Sequence, residues 1–216
     1  MSKISIFSKV ITSASTLSRQ LLQGIVEQIN KKFFSGNLSS IESRIKAIIE
    51  NSIKQQPEYA SLKSGRLRNE FGIANTGSID QIIEHLNNID ITIQKASVNA
   101  NEINAKIVIG LVKDNLDGAL GLASASVETE KGSSLNWLRW LLLEGNKTVV
   151  AGYKYIPKVS PKSRTGKGIM VKGDSNMYRV PPQYAGTANN NWITRALDQA
   201  LPDVQSEIDR YIQRLL

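Results

Sequence analysis

The spacing of apolar residues changes twice along this chain of 216 residues, and this constrains the fold more than any single motif. Apolar residues recur at three- and four-residue steps over residues 4–33 and 41–53, which predicts two helices. Over residues 89–109 isoleucines alternate with polar residues, as they do in half-buried strands. The helical spacing returns over residues 192–216. Helices followed by strands and a closing helix predict an α+β fold.

The two N-terminal helices are expected to form a helical hairpin within a region of residues 1–60. A core of residues 61–216 follows, and it begins with short helices at residues 62–71 and 79–86. This core ends in a C-terminal amphipathic helix, where Pro202 either kinks the helix or opens a second one.

An antiparallel β meander is expected in the middle of the chain. A polar turn divides the alternating residues 89–109, which therefore predict a β-hairpin. Residues 119–127 are small and apolar, and they fit either a third strand or a segment loosened by glycine. Residues 148–155 predict a fourth strand. The irregular residues 156–186 are expected to form a long projecting hairpin between short strands at residues 169–172 and 178–180.

Side chains that carry out catalysis or bind metals are scarce in this sequence. The chain has no cysteine, which excludes disulfides and thiolate metal sites, and its one histidine is His85. A single imidazole also excludes zinc sites built from several histidines. A nucleophilic triad would depend on His85 alone, so a small hydrolase centred there is the weakest alternative. We predict that the protein is not an enzyme and has no metal site and no cofactor.

The most specific feature is a stretch without acidic residues between Glu144 and Asp174, in a chain of net charge +8. Prolines and glycines within it predict a basic loop at about residues 153–186. A basic hairpin of this kind contacts phosphates without reading bases, inserts into an acidic neighbouring subunit, or remains solvated. The candidate contact residues are Lys147, Lys154, Lys158, Lys162, Arg164, Lys167 and Lys172.

Three tryptophans are candidates for contacts between subunits, because large aromatic side chains dominate buried interfaces. They are Trp137, Trp140 and Trp192. Packing in the core of one chain explains each of them equally well. No apolar run approaches the roughly 18 residues that span a bilayer, so no membrane partner is expected.

Four short motifs follow one another in a definite order along residues 60–216. They are Ser64-Gly65-Arg66-Leu67-Arg68, Trp140-Leu141-Leu142-Leu143-Glu144-Gly145, Pro181-Pro182-Gln183-Tyr184 and Trp192-Ile193-Thr194-Arg195-Ala196-Leu197. In this order they resemble the tail-completion, or neck, proteins of long-tailed bacteriophages. Ser64 departs from the threonine that is usual there, and Trp192-Ile193 replaces a Pro-Phe entry into the last helix.

The resemblance implies a structural virion protein that forms a ring, commonly of six copies, at the head–tail junction or tail top. Such a tail-terminator or neck ring binds copies of itself, the phage connector and tail tube or sheath proteins. It surrounds the DNA channel, which allows non-specific contact with packaged DNA. The implied location is the virion, after assembly in the host cytoplasm. The alternative is a sequence-independent nucleic-acid-binding protein that uses the hairpin of residues 147–172.

Overall fold

The computed structural model describes residues 14–35, 38–99, 102–111, 114–129 and 132–215. Within them the helices are α1 (Ala14–Ser35), α2 (Leu38–Lys54), α3 (Pro57–Ser64), α4 (Arg66–Phe71), α5 (Gly77–Leu86), α6 (Asp114–Gly121), α7 (Trp137–Leu142) and α8 (Trp192–Leu215). The strands are β1 (Ile89–Asn99), β2 (Glu102–Leu111), β3 (Val127–Glu128), β4 (Ser134–Leu135), β5 (Thr148–Ile156) and β6 (Ile169–Arg179). This mixture confirms the predicted α+β class.

The centre of the core is the contact between α2 and α8. Both helices repeat apolar residues at three- and four-residue steps, so each presents one apolar face to the other. The buried residues on these faces are Ile41, Ile45, Ile49 and Ile53 of α2 and Ala196, Ala200, Val204 and Ile208 of α8. Because α2 shares its core with α8, the boundary predicted at residue 60 does not divide the hydrophobic core.

The N-terminal helical region is present as predicted, although residues 4–13 of the first predicted helix lie outside the described residues. Within the described residues the main contacts of α1 are with β1, and those of α2 are with α8, so these two helices do not pack on each other there as the expected hairpin would. Asn30 joins α1 to the strand: its side-chain amide donates to the Ala96 carbonyl at 3.0 Å and accepts from the Ala96 amide at 2.7 Å.

In the described part of the chain the strands form three separate two-stranded sheets, so the predicted meander is divided. The hairpin of β1 and β2 is confirmed, with Ile91 opposite Ile109. Residues 119–127 were open to two interpretations, and the third-strand interpretation is wrong over most of them. They complete α6, form a short 3-10 helix and contribute only the start of β3. Gly118 allows α6 to pack closely on α5, because a Cβ at residue 118 would lie 2.5 Å from the His85 Nε2 atom.

The long hairpin consists of β5 and β6, joined by a loop of residues 157–168. The two short strands predicted at residues 169–172 and 178–180 are parts of one strand, β6, and they pair with β5 rather than with each other. Ala151 lies opposite Met177 and Tyr153 opposite Lys172, so residues 173–176 bulge from β6. On β5 the bulge faces only Gly152, whose φ of 75° favours glycine.

The C-terminal helix α8 continues through Pro202, which excludes the alternative of a second helix. The chain reaches α8 through a tight passage beside α7. Gly186 lies so close to α7 that a Cβ there would overlap the Leu141 carbonyl oxygen. Asn191 then caps α8, and its side-chain oxygen accepts from the backbone amides of Ile193 and Thr194 at 3.0 Å each.

Candidate nucleic-acid interface

The predicted cations all lie on one hairpin, which we call the basic hairpin and define as residues 147–172. All seven of their side chains are exposed. Lys147 lies 3.9 Å from Glu144, whose carboxylate also bonds to Arg139 at 2.7 Å. Within the part of the chain that the structure describes, the other six cations have no ion-pair partner. These six charges are therefore available to an external anion.

The strand register distributes the cations over both faces of the basic hairpin. Lys172 lies opposite Tyr153, and Lys154 lies opposite Val171. Residues that pair across antiparallel strands share a face, and neighbours along a strand alternate between faces. Lys172 therefore shares a face with Tyr153, and Lys154 lies on the other face.

The loop at the tip of the basic hairpin is ordered by its own hydrogen bonds. The Ser163 amide donates to the Ser160 carbonyl at 3.0 Å, and the Gly166 amide donates to the Ser163 carbonyl at 3.2 Å. The Ser163 hydroxyl accepts from the Gly168 amide at 3.2 Å. Gly166 has a φ of 76°, a conformation that glycine adopts without strain. These bonds hold three cations at defined positions on the tip: Lys162, Arg164 and Lys167.

Tyr155 supports this loop and is not free to stack on a base. Its hydroxyl donates to the Lys167 carbonyl at 3.4 Å. Its ring lies directly over Gly168, where a Cβ would overlap it. The tip of the basic hairpin therefore offers charges on an ordered loop without a free aromatic ring at Tyr155, which suits contact with phosphates more than stacking on single strands.

The base of the long hairpin of β5 and β6, just outside residues 147–172, is fixed to α4 through a buried carboxylate. The Tyr178 hydroxyl of β6 donates to Glu70 at 2.7 Å, and the Arg66 Nε atom donates to the other Glu70 oxygen at 2.5 Å. Burial raises the pKa of the Tyr178 phenol far above its ordinary value, and the Glu70 carboxylate raises it further. Tyr178 therefore stays protonated and remains a donor.

The tip also reaches the end of α4. The Arg164 side chain lies 3.4 Å from the position of a Cβ on Gly72, the residue that ends this helix. The predicted projecting hairpin therefore lies against α4. Three residues that support this site, Arg66, Glu70 and Tyr178, were not predicted from the sequence. The only signal was the motif that contains Arg66, which was singled out for its resemblance alone.

The tryptophans occupy positions in the chain's own core. Trp137 and Trp192 are 0% and 1% exposed. The Trp137 indole donates to the Ser124 carbonyl at 3.1 Å, and its ring centre lies 6.0 Å from that of Phe71. Full burial leaves neither side chain any surface for a neighbouring subunit, which corrects the interface prediction for these two residues. Trp140 is only partly buried.

His85 lies on α5 with its ring against α6. Its Nε2 atom is buried, without a hydrogen-bond partner among the residues that the structure describes. In the same residues, no group of three or more histidine or carboxylate side chains is arranged to hold a metal ion.

No protein-family model, no curated protein and no solved structure matches this chain. None of the helices described has both the length and the apolar content that crossing a lipid bilayer requires.

Proposed function

We propose that this chain is a non-enzymatic structural subunit of the neck or tail terminator of a tailed phage. In this proposal its copies form a ring, commonly a hexamer, around the DNA channel, and join the tail to the head connector. The basic hairpin contacts the phosphates of DNA without reading its sequence. The observation that carries the proposal is the ordered tip of that hairpin, where Lys162, Arg164 and Lys167 are held apart from the described carboxylates.

The charge distribution supports contact with a polyanion. Apart from Asp174 at the β6 bulge, residues 145–197 contain no acidic side chain. The bound counterions of DNA are released when cations contact its phosphates, so attraction of this kind is independent of base sequence. A channel protein needs such a surface, because DNA of any sequence passes it.

The arrangement of the resemblance motifs also supports the neck proposal. Residues in or close to three of the four motifs are in contact, although more than 30 residues separate Gly145, the end of one motif, from Pro181, the start of the next. The Asn191 side chain, directly before the last motif, donates to the Leu142 carbonyl at 3.2 Å. Glu144 forms a backbone bridge with Thr187, which follows the Pro181–Tyr184 turn. Short motifs that share contacts are better support than motifs scattered over the surface.

Native mass spectrometry and negative-stain imaging test the proposed ring. We expect closed oligomers of one defined copy number, either for the chain alone or after addition of neck and tail proteins. Cyclic, head-to-tail interfaces give closed rings of this kind. A chain that stays monomeric at all concentrations and with those partners would contradict the proposal.

The second candidate is a free-standing, sequence-independent nucleic-acid-binding protein. The specific observation in its favour is that one chain contains the whole basic hairpin, so DNA contact needs no second subunit. A monomer that binds DNA with a steep dependence on salt would favour this candidate over the ring. Equal affinity for unrelated DNA sequences is expected in both cases.

A further inference from the structure

Glu70 is a buried carboxylate with partners from two distant parts of the chain. Its side chain is 0% exposed, whereas that of Arg66 is 59% exposed. Arg66 precedes it by one helical turn, and Tyr178 lies 108 positions later. The carboxylate is therefore the point at which α4 and the base of the basic hairpin are joined by directed bonds.

Stability alone is a weak reason for a charge at this position. Removing a carboxylate from water carries a large desolvation penalty, and well-packed apolar side chains are often equally stabilising. A hydrogen bond with a charged acceptor differs from apolar packing because it has a preferred length and direction. Glu70 therefore fixes the position of Tyr178 more sharply than an apolar contact does.

The position of Tyr178 decides what this bond controls. Tyr178 lies opposite Val150 at the start of the hairpin, next to the bulge of residues 173–176. Beyond the bulge the pairing resumes and leads to the cationic tip. A two-stranded sheet is only marginally stable by itself, so its orientation depends on where it is attached. This sheet packs Val150, Tyr155 and Met170 against the hydrophobic core, and its described contacts with α4 include the Tyr178 bond at the base and the Arg164 contact at the tip.

We infer that Glu70 is a positioning residue, which sets the orientation of the basic hairpin on α4 through its bond to Tyr178. Arg66 balances the charge of Glu70 and keeps it in the orientation that Tyr178 requires. Where the ligand is concerned, this inference rests on the proposed function, because it makes the geometry of the DNA-contacting surface depend on Glu70. It also makes a prediction about the free protein that needs no ligand.

Two substitutions test the inference in the full chain, Tyr178→Phe and Glu70→Gln. Hydrogen exchange is measured for the free protein, and affinity is measured for a duplex of arbitrary sequence. Tyr178→Phe removes the hydrogen bond to the charged Glu70 carboxylate. The exchange rates of the β5 and β6 amides are therefore expected to rise about tenfold. The affinity for DNA is expected to fall in both variants. Glu70→Gln removes a negative charge, which by itself would strengthen DNA binding. A fall in affinity in this variant therefore points to a change in the position of the hairpin rather than to the change in net charge.

Glu58→Gln is the matched control, because Glu58 is also 0% exposed and ion-paired, with Arg195 of α8. This variant is expected to raise exchange in α3 and α8 and to leave the basic hairpin as protected as in the wild type. Unchanged protection of the hairpin in Tyr178→Phe would overturn the inference. So would a loss of protection that is equal in α2, α8 and the hairpin, which indicates general destabilisation. If hairpin protection falls but the wild type does not bind DNA, the inference stands and the proposed function fails.

Discussion

The tip of the basic hairpin offers the sharpest test of DNA binding. The perturbation is the triple variant Lys158→Ala, Lys162→Ala and Lys167→Ala in the loop of residues 157–168, which leaves Arg164 and its contact at the end of α4 in place. All three side chains are exposed, and none has an ion-pair partner in the described residues. The bonds that order the loop come from Ser163 and backbone groups, so the variant should keep the wild-type fold and melting temperature.

The expected magnitude follows from the number of cations. Each phosphate contact contributes about −0.9 to the slope of the logarithm of affinity against the logarithm of salt concentration. If all six available cations contact phosphates, the slope should be about −5. The triple variant should make this slope less steep by at most about 2.7. At about 0.1 M salt each contact raises the affinity for DNA roughly eightfold relative to about 1 M salt. Loss of three contacts should therefore lower the affinity by up to about 500-fold.

Fluorescence anisotropy of a labelled duplex, titrated at several salt concentrations, measures both quantities. The matched control is Arg19→Ala, Lys31→Ala and Arg214→Ala, which removes three exposed cations far from the hairpin in sequence. Both triple variants have the same net charge, so a local contact predicts a large effect for the tip alone. Equal losses in the two variants would refute the local contact and leave only general attraction. A wild-type slope near zero would refute phosphate binding.

Three further variants test the fold on which the site is built. Trp137→Ala should lower the free energy of unfolding by about 3–5 kcal/mol in urea denaturation, because it removes a fully buried ring; a loss below about 1 kcal/mol would contradict that burial. The hydrogen bond from Arg44 lowers the pKa of Glu207 below its ordinary value of 4.5, although burial acts in the opposite direction. The ionised Glu207 therefore stabilises the fold above pH 4.5, and this stabilisation is lost as the pH falls through the lowered pKa. The stability difference between wild type and Glu207→Gln should therefore be largest at neutral pH and shrink in acid, and a difference independent of pH would argue against the pair. Gly186→Ala should destabilise the protein by about 3 kcal/mol or more in thermal melts, because the new Cβ would overlap α7. Gly24→Ala is the control: no atom lies within 4 Å of the new Cβ, so it should stabilise α1 by up to about 1 kcal/mol. Equal effects of the two substitutions would show that the passage beside α7 is not tight.

The helices and the first hairpin were predictable because their periodicity is strong. Isoleucines at every fourth position gave α2, and the alternation of isoleucine with polar residues gave β1 and β2. Residues 119–127 lack a period, since alanine and glycine fit either a strand or a helix. Their conformation is decided by packing: Ala119 and Ala125 are both 0% exposed, and Gly118 touches His85.

The pairing of β6 was not predictable from local sequence. Residues 173–176 look like a break between two short strands, because Gly173 and Asp174 are typical of turns. In the structure they form a bulge within one strand, which the partner strand β5 determines. Strand pairing depends on residues far apart in the chain, so a local pattern does not reveal it.

The cations of the candidate site were predictable from the sequence, but the bond that fixes the hairpin to α4 was not. A stretch without carboxylates in a basic chain favours exposed cations, and the seven predicted residues are exposed. The bond between Glu70 and Tyr178 joins residues that are 108 positions apart. In the sequence, Glu70 looks like any surface carboxylate of a short basic helix. Only the packing of β6 on α4 shows that it is buried.

Cross-linking of duplex DNA to the native protein, followed by peptide mapping, tests the central claim most directly. The claim is that this chain contacts DNA through the basic hairpin, whatever the DNA sequence. We predict that cross-links concentrate in peptides from residues 147–172 and occur equally with unrelated duplexes. Cross-links that fall mainly on other peptides, or that depend on the sequence of the duplex, would contradict the account.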